Sequence, residues 1–177
     1  TAAAAAKLGL NCHLQLEERV ASVDETHRNS GNILLSRILG ANLHSFHEGE
    51  DEEGADNSLE NIANKLRREG HNPYVISLSP GHPPLGALGY VACAIEILKQ
   101  MNDTELKIDE IICASGSSST HAGLVFGLRA LNSQIPVTGV CVRRPAAKQT
   151  PRVYDRCIEI AKYLGVEQPV MKTDIET

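Results

Sequence analysis

What the sequence lacks narrows its possibilities first. It has no excess of positive charge: 17 Lys and Arg against 22 Asp and Glu give a formal net charge of -5 and a pI near 5.8. Bulk electrostatics therefore draws neither nucleic acid nor an anionic membrane surface to it. The local exception is Arg143–Arg144, near a predicted strand end. No C-x-x-C pair joins its 5 cysteines, Cys12, Cys93, Cys113, Cys141 and Cys157, and the count is odd. They read as buried free thiols in a reducing, cytoplasmic compartment rather than as disulfides or metal ligands. No run approaches the ~20 apolar residues of a membrane span, and no signal-peptide pattern is present. There is no repeat, no long linker and no low-complexity tract beyond the opening "TAAAAAKLGLN". Those alanines favour helix; without an initiator Met, they read as a trimmed end or as a helix continuing from upstream residues. The G-x-x-x-x-G-K-[ST] and G-x-G-x-x-G patterns are absent too, which argues against a nucleoside triphosphate or a dinucleotide.

What is there is an ordinary globular pattern. Hydrophobic residues make up 42% and charged residues 22% of 177 positions, which suits one domain or two small lobes with a real core. Apolar stretches of strand length alternate with longer stretches of helical period. Strands are predicted at Cys12–Glu17, Leu43–Glu48, Tyr74–Ser79, Glu110–Ser115 and Val137–Arg143. The last three are dense in apolar and β-branched residues, as suits strands covered on both faces. Helices are predicted over Asn32–Gly40, Ser58–Gly70, Gly86–Met101, His121–Asn132 and Arg152–Gly165. Gly40, Gly70 and Gly165 serve as C-terminal stops, and Ser58 as an N-cap. The alternation predicts an α/β fold: open, mainly parallel sheets with helices on both faces, a three-layer αβα arrangement with right-handed crossovers. The acidic stretch Glu48–Asp56 reads as a solvated loop rather than a metal site, and no metal is expected elsewhere.

The informative stretch is "CASGSSSTHAGLVFGL", Cys113–Leu128. Ser115 ends a predicted strand and Thr120–His121 open a helix. Ligands of open parallel sheets bind beyond the carboxyl ends of strands. At a helix N-terminus the unpaired main-chain amides and the dipole favour an anion. Small residues let the backbone close around it, and the hydroxyls of Ser117, Ser119 and Thr120 add neutral donors. A phosphate is the obvious guest. A plain Ser-rich helix cap, or a sugar-phosphate loop, uses the same residues.

Four strings together resemble one group of enzymes. "ASGSSSTHAGL" (Ala114–Leu124) is similar to the phosphate-binding loop of fold-type II (tryptophan synthase β-like) pyridoxal-phosphate enzymes. Within these it looks most like the D-cysteine desulfhydrase, L-cysteate sulfo-lyase and 1-aminocyclopropane-1-carboxylate deaminase group. "TAAAAAKLGLNC" (Thr1–Cys12), "SGNILLSRILGA" (Ser30–Ala41) and "PPLGALGYVACAIEI" (Pro83–Ile97) follow in the family's order and span nearly the whole chain. The resemblance implies pyridoxal 5'-phosphate as cofactor, its phosphate surrounded by Ser115, Gly116, Ser117, Ser118, Ser119 and Thr120. Ser118 and Ser119 stand where smaller residues are commoner in the family. It implies that "SPGHPPL" (Ser79–Leu85) borders cofactor and substrate, with Gly81 and His82 toward the substrate; His82 stands where Ser or Asn is frequent. It implies two lobes: residues 1–77 in the smaller, residues 78–177 in the larger, cofactor-binding one.

The implied reaction is β-elimination from a small cysteine-like amino acid, giving pyruvate, ammonia and sulfide or sulfite. "CHLQLEERV" and "LKIDEII" lean toward the desulfhydrase and sulfo-lyase side. The family's imine lysine lies in an N-K-x-R-K-like motif ahead of S-N-H; neither motif occurs here, and the downstream tyrosine is missing. No catalytic residue is therefore expected in these 177 residues, which look like a central portion, inactive alone. The resemblance also implies a homodimer. The competing readings are the deaminase and a non-catalytic phosphate- or sugar-phosphate-binding module.

Overall fold

A computed structural model describes residues 1–19, 24–49, 51–77 and 81–177. The chain divides into two compact units, Thr1–Pro80 and Gly81–Thr177. The division expected from sequence came after residue 77.

In the first unit the alanine run forms α1 (Ala2–Lys7), followed by β1 (His13–Glu17), α2 (Glu25–Asn29), α3 (Gly31–Ile38), β2 (Asn42–Phe46) and α4 (Glu52–Arg68). β1 and β2 pair in parallel, His13 opposite Asn42 and Gln15 opposite His44. Asn42 N–H to Cys12 O at 2.8 Å and Glu18 N–H to Phe46 O at 2.9 Å extend the ladder at both ends. The acidic stretch is not a loop: from Glu52 on it is helix. Asp51 caps α4 by accepting from Gly54 N–H at 2.8 Å, and Glu52 and Glu53 fill the first turn. Carboxylates there are favoured by the free amides and the dipole, so Ser58 lies inside the helix instead of capping it. Lys65, Arg67 and Arg68 complement the other end. The predicted strand Tyr74–Ser79 is also corrected. Tyr74–Ser77 have no regular structure, and Tyr74 and Ile76 are 76% and 60% exposed; Leu78 and Ser79 lie outside the described residues. β-propensity needs a paired neighbour to become a strand, and none of the described residues offers one.

His13 Nδ1 and His44 Nε2 approach to 3.0 Å, with ring centres 5.3 Å apart and planes 19° from parallel. The centre-to-centre distance equals the N···N distance plus two ring radii. The rings are thus nearly coplanar and joined end to end by an N–H···N bond, with one imidazole supplying the lone pair. Burial holds the His44 pKa below the ordinary 6.5, and His13 and then Lys65 of α4 push it the same way. The folded unit therefore binds fewer protons than the unfolded chain just below that value. Its stability is full above pH 6.5 and falls as pH drops toward the depressed pKa. Thermal melts across this range should show the loss, and His44→Gln should flatten it; an unchanged pH profile would remove the pair from the account.

The second unit contains α5 (Leu85–Thr104), β3 (Ile111–Ser115), α6 (Ser119–Ala130), β4 (Val137–Cys141), α7 (Ala146–Leu164) and a short 3-10 turn at Lys172–Asp174. α7 starts well before the predicted Arg152. It begins after Pro145 and tolerates Pro151 within its second turn, close to the end where missing amides cost least. β3 and β4 pair in parallel, Ile111 opposite Val137 through Ser115 opposite Cys141. The tail joins beyond β4 through a Thr138–Glu176 bridge, with Gly139 N–H to Glu176 O at 2.8 Å. Together the described elements form an α/β fold with parallel pairing.

α6 is buried from His121 to Leu128, and from Ala122 to Leu128 it is apolar all round, as a helix surrounded by protein must be. Phe126, Leu128, Val153, Cys157 and Ile160 form the centre of this unit's core. α5 lies close along α6 because Gly123 and Gly127 leave room. A Cβ at Gly123 would stand 2.4 Å from Ala87 O, and one at Gly127 2.6 Å from Ala94 Cβ. The odd-numbered row of β3 packs inward, Ile111 and Cys113 against this core, while Ile112, Ala114 and Val140 face out and are exposed in this chain. All 5 cysteines are free. Burial, helped by Asp174, pushes the Cys157 thiol up to about 12, which makes it an inert core residue. No described helix is long and apolar enough to cross a membrane.

Candidate functional site

β3 ends at Ser115 and α6 opens at Ser119, so the turn between them stands at the carboxyl end of a parallel strand and the N-terminus of a 12-residue helix. Ser118 adopts a left-handed conformation (φ 74) and is 2% exposed. Such a backbone is uncommon outside glycine and bends the chain sharply into the helix. Its hydroxyl donates to Ser117 O. Gly116 sits close to the next strand end, where a Cβ would come 3.2 Å from Val142 Cγ2.

Among the described residues, no main-chain amide from Gly116 to His121 makes a hydrogen bond. The first that does, Ala122 N–H, reaches back to Ser118 O at 2.8 Å. These are the orphan donors of a helix start, extended by the turn that precedes it. The Ser117, Ser119 and Thr120 hydroxyls likewise make no hydrogen bond among the described residues, and no carboxylate occurs from Ser115 to Ala130. A bare cluster of donors at the positive end of a helix dipole fits a phosphate.

Behind the turn lies a sealed polar network that the sequence did not announce. His121 and Gln149 are fully buried and Ser115 is 1% exposed. His121 Nε2 lies 3.1 Å from Val137 O, a carbonyl that can only accept, so the imidazole proton is on Nε2. Nδ1 is then the acceptor, and Ser115 Oγ, 3.2 Å away, donates to it. Gln149 Nε2 donates to Ser115 Oγ at 2.9 Å and to Gly116 O at 3.2 Å. That carbonyl also fixes the Gln149 amide orientation, since an oxygen in the same place would face another oxygen. Arg144 Nη1 donates to Gly116 O at 3.2 Å as well. Burial lowers the His121 pKa, while the bond to Val137 opposes this; the ring is neutral at neutral pH. Gly139 makes the space: a Cβ there would lie 2.3 Å from His121 Nδ1.

The six residues singled out from sequence thus stand together in one turn but play different parts. The hydroxyls of Ser115 and Ser118 donate inside the protein. Ser117, Ser119 and Thr120 keep theirs free of protein partners among the described residues, and Gly116 contributes its carbonyl to the network. Gly81 and His82 lie apart in sequence, in an exposed turn ahead of α5, with Gly81 at φ 94. Ser79 and Pro80, also expected beside the cofactor, lie outside the described residues. Sequence reading passed over Gln149 and Gly139. His121 falls within the motif, but the sequence pattern assigns it no task beyond opening the helix. A histidine that closes a Ser/Thr run and is followed only by apolar residues and glycines as far as Leu128 is the available signal.

Comparison with known proteins adds the chemistry. Residues 1–173 match the family described as "Pyridoxal-phosphate dependent enzyme". The D-cysteine desulfhydrase of Serratia proteamaculans is 36% identical over 168 residues, 95% of this chain and 50% of that protein. That of Klebsiella pneumoniae subsp. pneumoniae is 39% identical over 153 residues, 86% of this chain and 45% of that protein. A crystal structure described as an ACC deaminase homologue superposes with a TM-score of 0.71 at 34% identity, covering 95% of this chain and 48% of the other. The chain spans about half the length of the curated relatives it matches. With a parallel α/β fold, a donor-rich turn at the start of α6 and a family match over nearly its full length, the chain belongs to the pyridoxal-phosphate dependent enzymes.

Proposed function

We propose that this chain is part of a pyridoxal-phosphate dependent lyase that performs β-elimination on a cysteine-like amino acid. Its products would be pyruvate, ammonia and sulfide or sulfite. Sequence similarity to the D-cysteine desulfhydrases supports this class of substrate. The bound cofactor supplies an electron sink for the substrate's α-carbon. What this chain contributes is the grip on its phosphate. The amides of Gly116–His121 bind it through main-chain donors, Ser117, Ser119 and Thr120 add hydroxyls, and the α6 dipole favours its charge. Residues 78–177 form part of the larger, cofactor-binding lobe and residues 1–77 part of the smaller one, and Gly81 and His82 border the substrate. On this reading the lysine that bonds the cofactor covalently and the catalytic tyrosine would come from outside these 177 residues. In use the enzyme is a cytoplasmic homodimer.

The observation that carries this reading is the row of amides from Gly116 to His121 without partners among the described residues. Titration of the chain with pyridoxal phosphate should give saturable binding, with borohydride trapping only scattered, substoichiometric adducts on surface amines and no single stoichiometric lysine adduct. Gly116→Val should weaken that binding at least tenfold: its β-branch collides with Val142 and stiffens the backbone that must close on the phosphate. Undiminished binding in this variant would place the phosphate elsewhere. Equal affinity for simple sugar phosphates would favour a general phosphate-binding module instead.

A further inference from the structure

We propose that His121 is a positioning residue for the anion-binding turn, acting through Ser115 and Gln149 on the peptide between Gly116 and Ser117. The inference rests on the phosphate reading of that turn and adds a role for groups that do not touch the ligand. A trans peptide is planar, and its C=O and N–H point in opposite directions. Gly116 O is tied by Gln149 Nε2 and Arg144 Nη1, both at 3.2 Å. The Ser117 N–H is therefore held pointing away from them, toward the open side of the turn, where it has no partner among the described residues.

The tie depends on proton placement three groups away. Gln149 has two N–H donors on one nitrogen, and it can aim one at Gly116 O because the other is taken by Ser115 Oγ at 2.9 Å. Ser115 Oγ accepts it cleanly because its own proton goes to His121 Nδ1 at 3.2 Å. Nδ1 can accept because the imidazole proton is committed to Val137 O at 3.1 Å. Every link runs in one direction, and reversing any one leaves two donors or two acceptors face to face. The other end of the same amide supports a dedicated role: Gln149 Oε1 is buried without a partner among the described residues. A fold seldom keeps such an orphan unless the rest of the side chain is needed where it is. Gly116, lacking a Cβ, rotates freely once untied, so it depends on this network.

The tests use the 177-residue chain with inorganic phosphate and with pyridoxal phosphate. Imidazole 15N shifts of the ligand-free protein should show His121 neutral and protonated at Nε2; the Nδ1–H tautomer or an imidazolium would overturn the proposal. His121→Leu should lower affinity for both anions about tenfold and shift the Ser117 amide resonance. His121→Asn, which returns an acceptor to the Nδ1 position, should recover most of the affinity, as a purely space-filling role would not allow. Ser115→Ala should match His121→Leu, and the pair together should cost no more than either alone. If His121→Leu fails to fold, the tautomer and the Ser115→Ala titration still decide. Wild-type affinity in folded Ser115→Ala and His121→Leu would overturn this inference alone. If the wild-type chain binds neither anion at the turn, the functional reading falls and this inference with it.

Discussion

Gly139→Ala is expected to destabilise the second unit by about 3 kcal/mol, the sum of overpacking and disrupted buried hydrogen bonds. It should also cut phosphate affinity at the turn. Alanine ordinarily improves on glycine in a strand, and Gly139 does not adopt a positive φ, so the loss must come from the neighbour. The added methyl would stand 2.3 Å from His121 Nδ1, 2.5 Å from Cε1 and 3.0 Å from Ser115 Cβ. The imidazole is fully buried and held at both nitrogens, so it cannot swing aside without losing both bonds. Denaturant unfolding followed by circular dichroism measures the loss. The same substitution in a His121→Ala background should cost little or nothing, because the space is then vacant. A Gly139→Ala protein as stable as the parent would show that the strand yields and His121 does not fix it.

Asp174→Ala should be about as damaging, at about 3–5 kcal/mol, the cost of leaving one member of a buried ion pair uncompensated. Arg129 and Asp174 side chains are only 9% and 12% exposed, with Nε to Oδ1 at 2.8 Å. Arg129 Nη1 also donates to Ser133 O at 2.9 Å and Ile135 O at 3.1 Å, and Asp174 Oδ2 accepts Met171 N–H at 2.7 Å. The carboxylate thus closes the turn that carries Ile175 into the core and Glu176 onto β4. Losing it should free the tail, seen as fast amide exchange at Gly139, whose N–H bonds Glu176 O. Replacing both partners, Arg129→Met with Asp174→Ala, should cost less than the single charge deletion plus Arg129→Met measured separately. Full additivity would mean that the two charges act independently.

Much of this was legible along the chain because it depends on near neighbours. Ser115 ends β3 and Ser119 opens α6 within a few residues of the boundaries that period and turn chemistry predict. The donor-rich turn was visible because helix-start amides are orphaned by local geometry, whatever surrounds them. The errors were local competitions of a different kind. Asp51 outcompetes Ser58 as a cap because carboxylates follow it in the first turn. Tyr74–Ser77 carry strand propensity without a paired neighbour among the described residues. α7 runs through Pro151 because tertiary packing of Val153, Cys157 and Ile160 outweighs one missing amide.

The sequence by itself determined the alternation of helices and strands, the placing of small hydroxyl residues at one helix start, and the net acidic balance of the chain. Each of these follows from chemistry within a few residues. Only the tertiary structure decided that Gly139 clears space for His121, that His121 keeps its proton on Nε2, and that Gln149 turns the Gly116 carbonyl inward. Those facts join residues from 16 to 33 positions apart. Proton direction in a buried network is set by which acceptors converge in space, which no local pattern records.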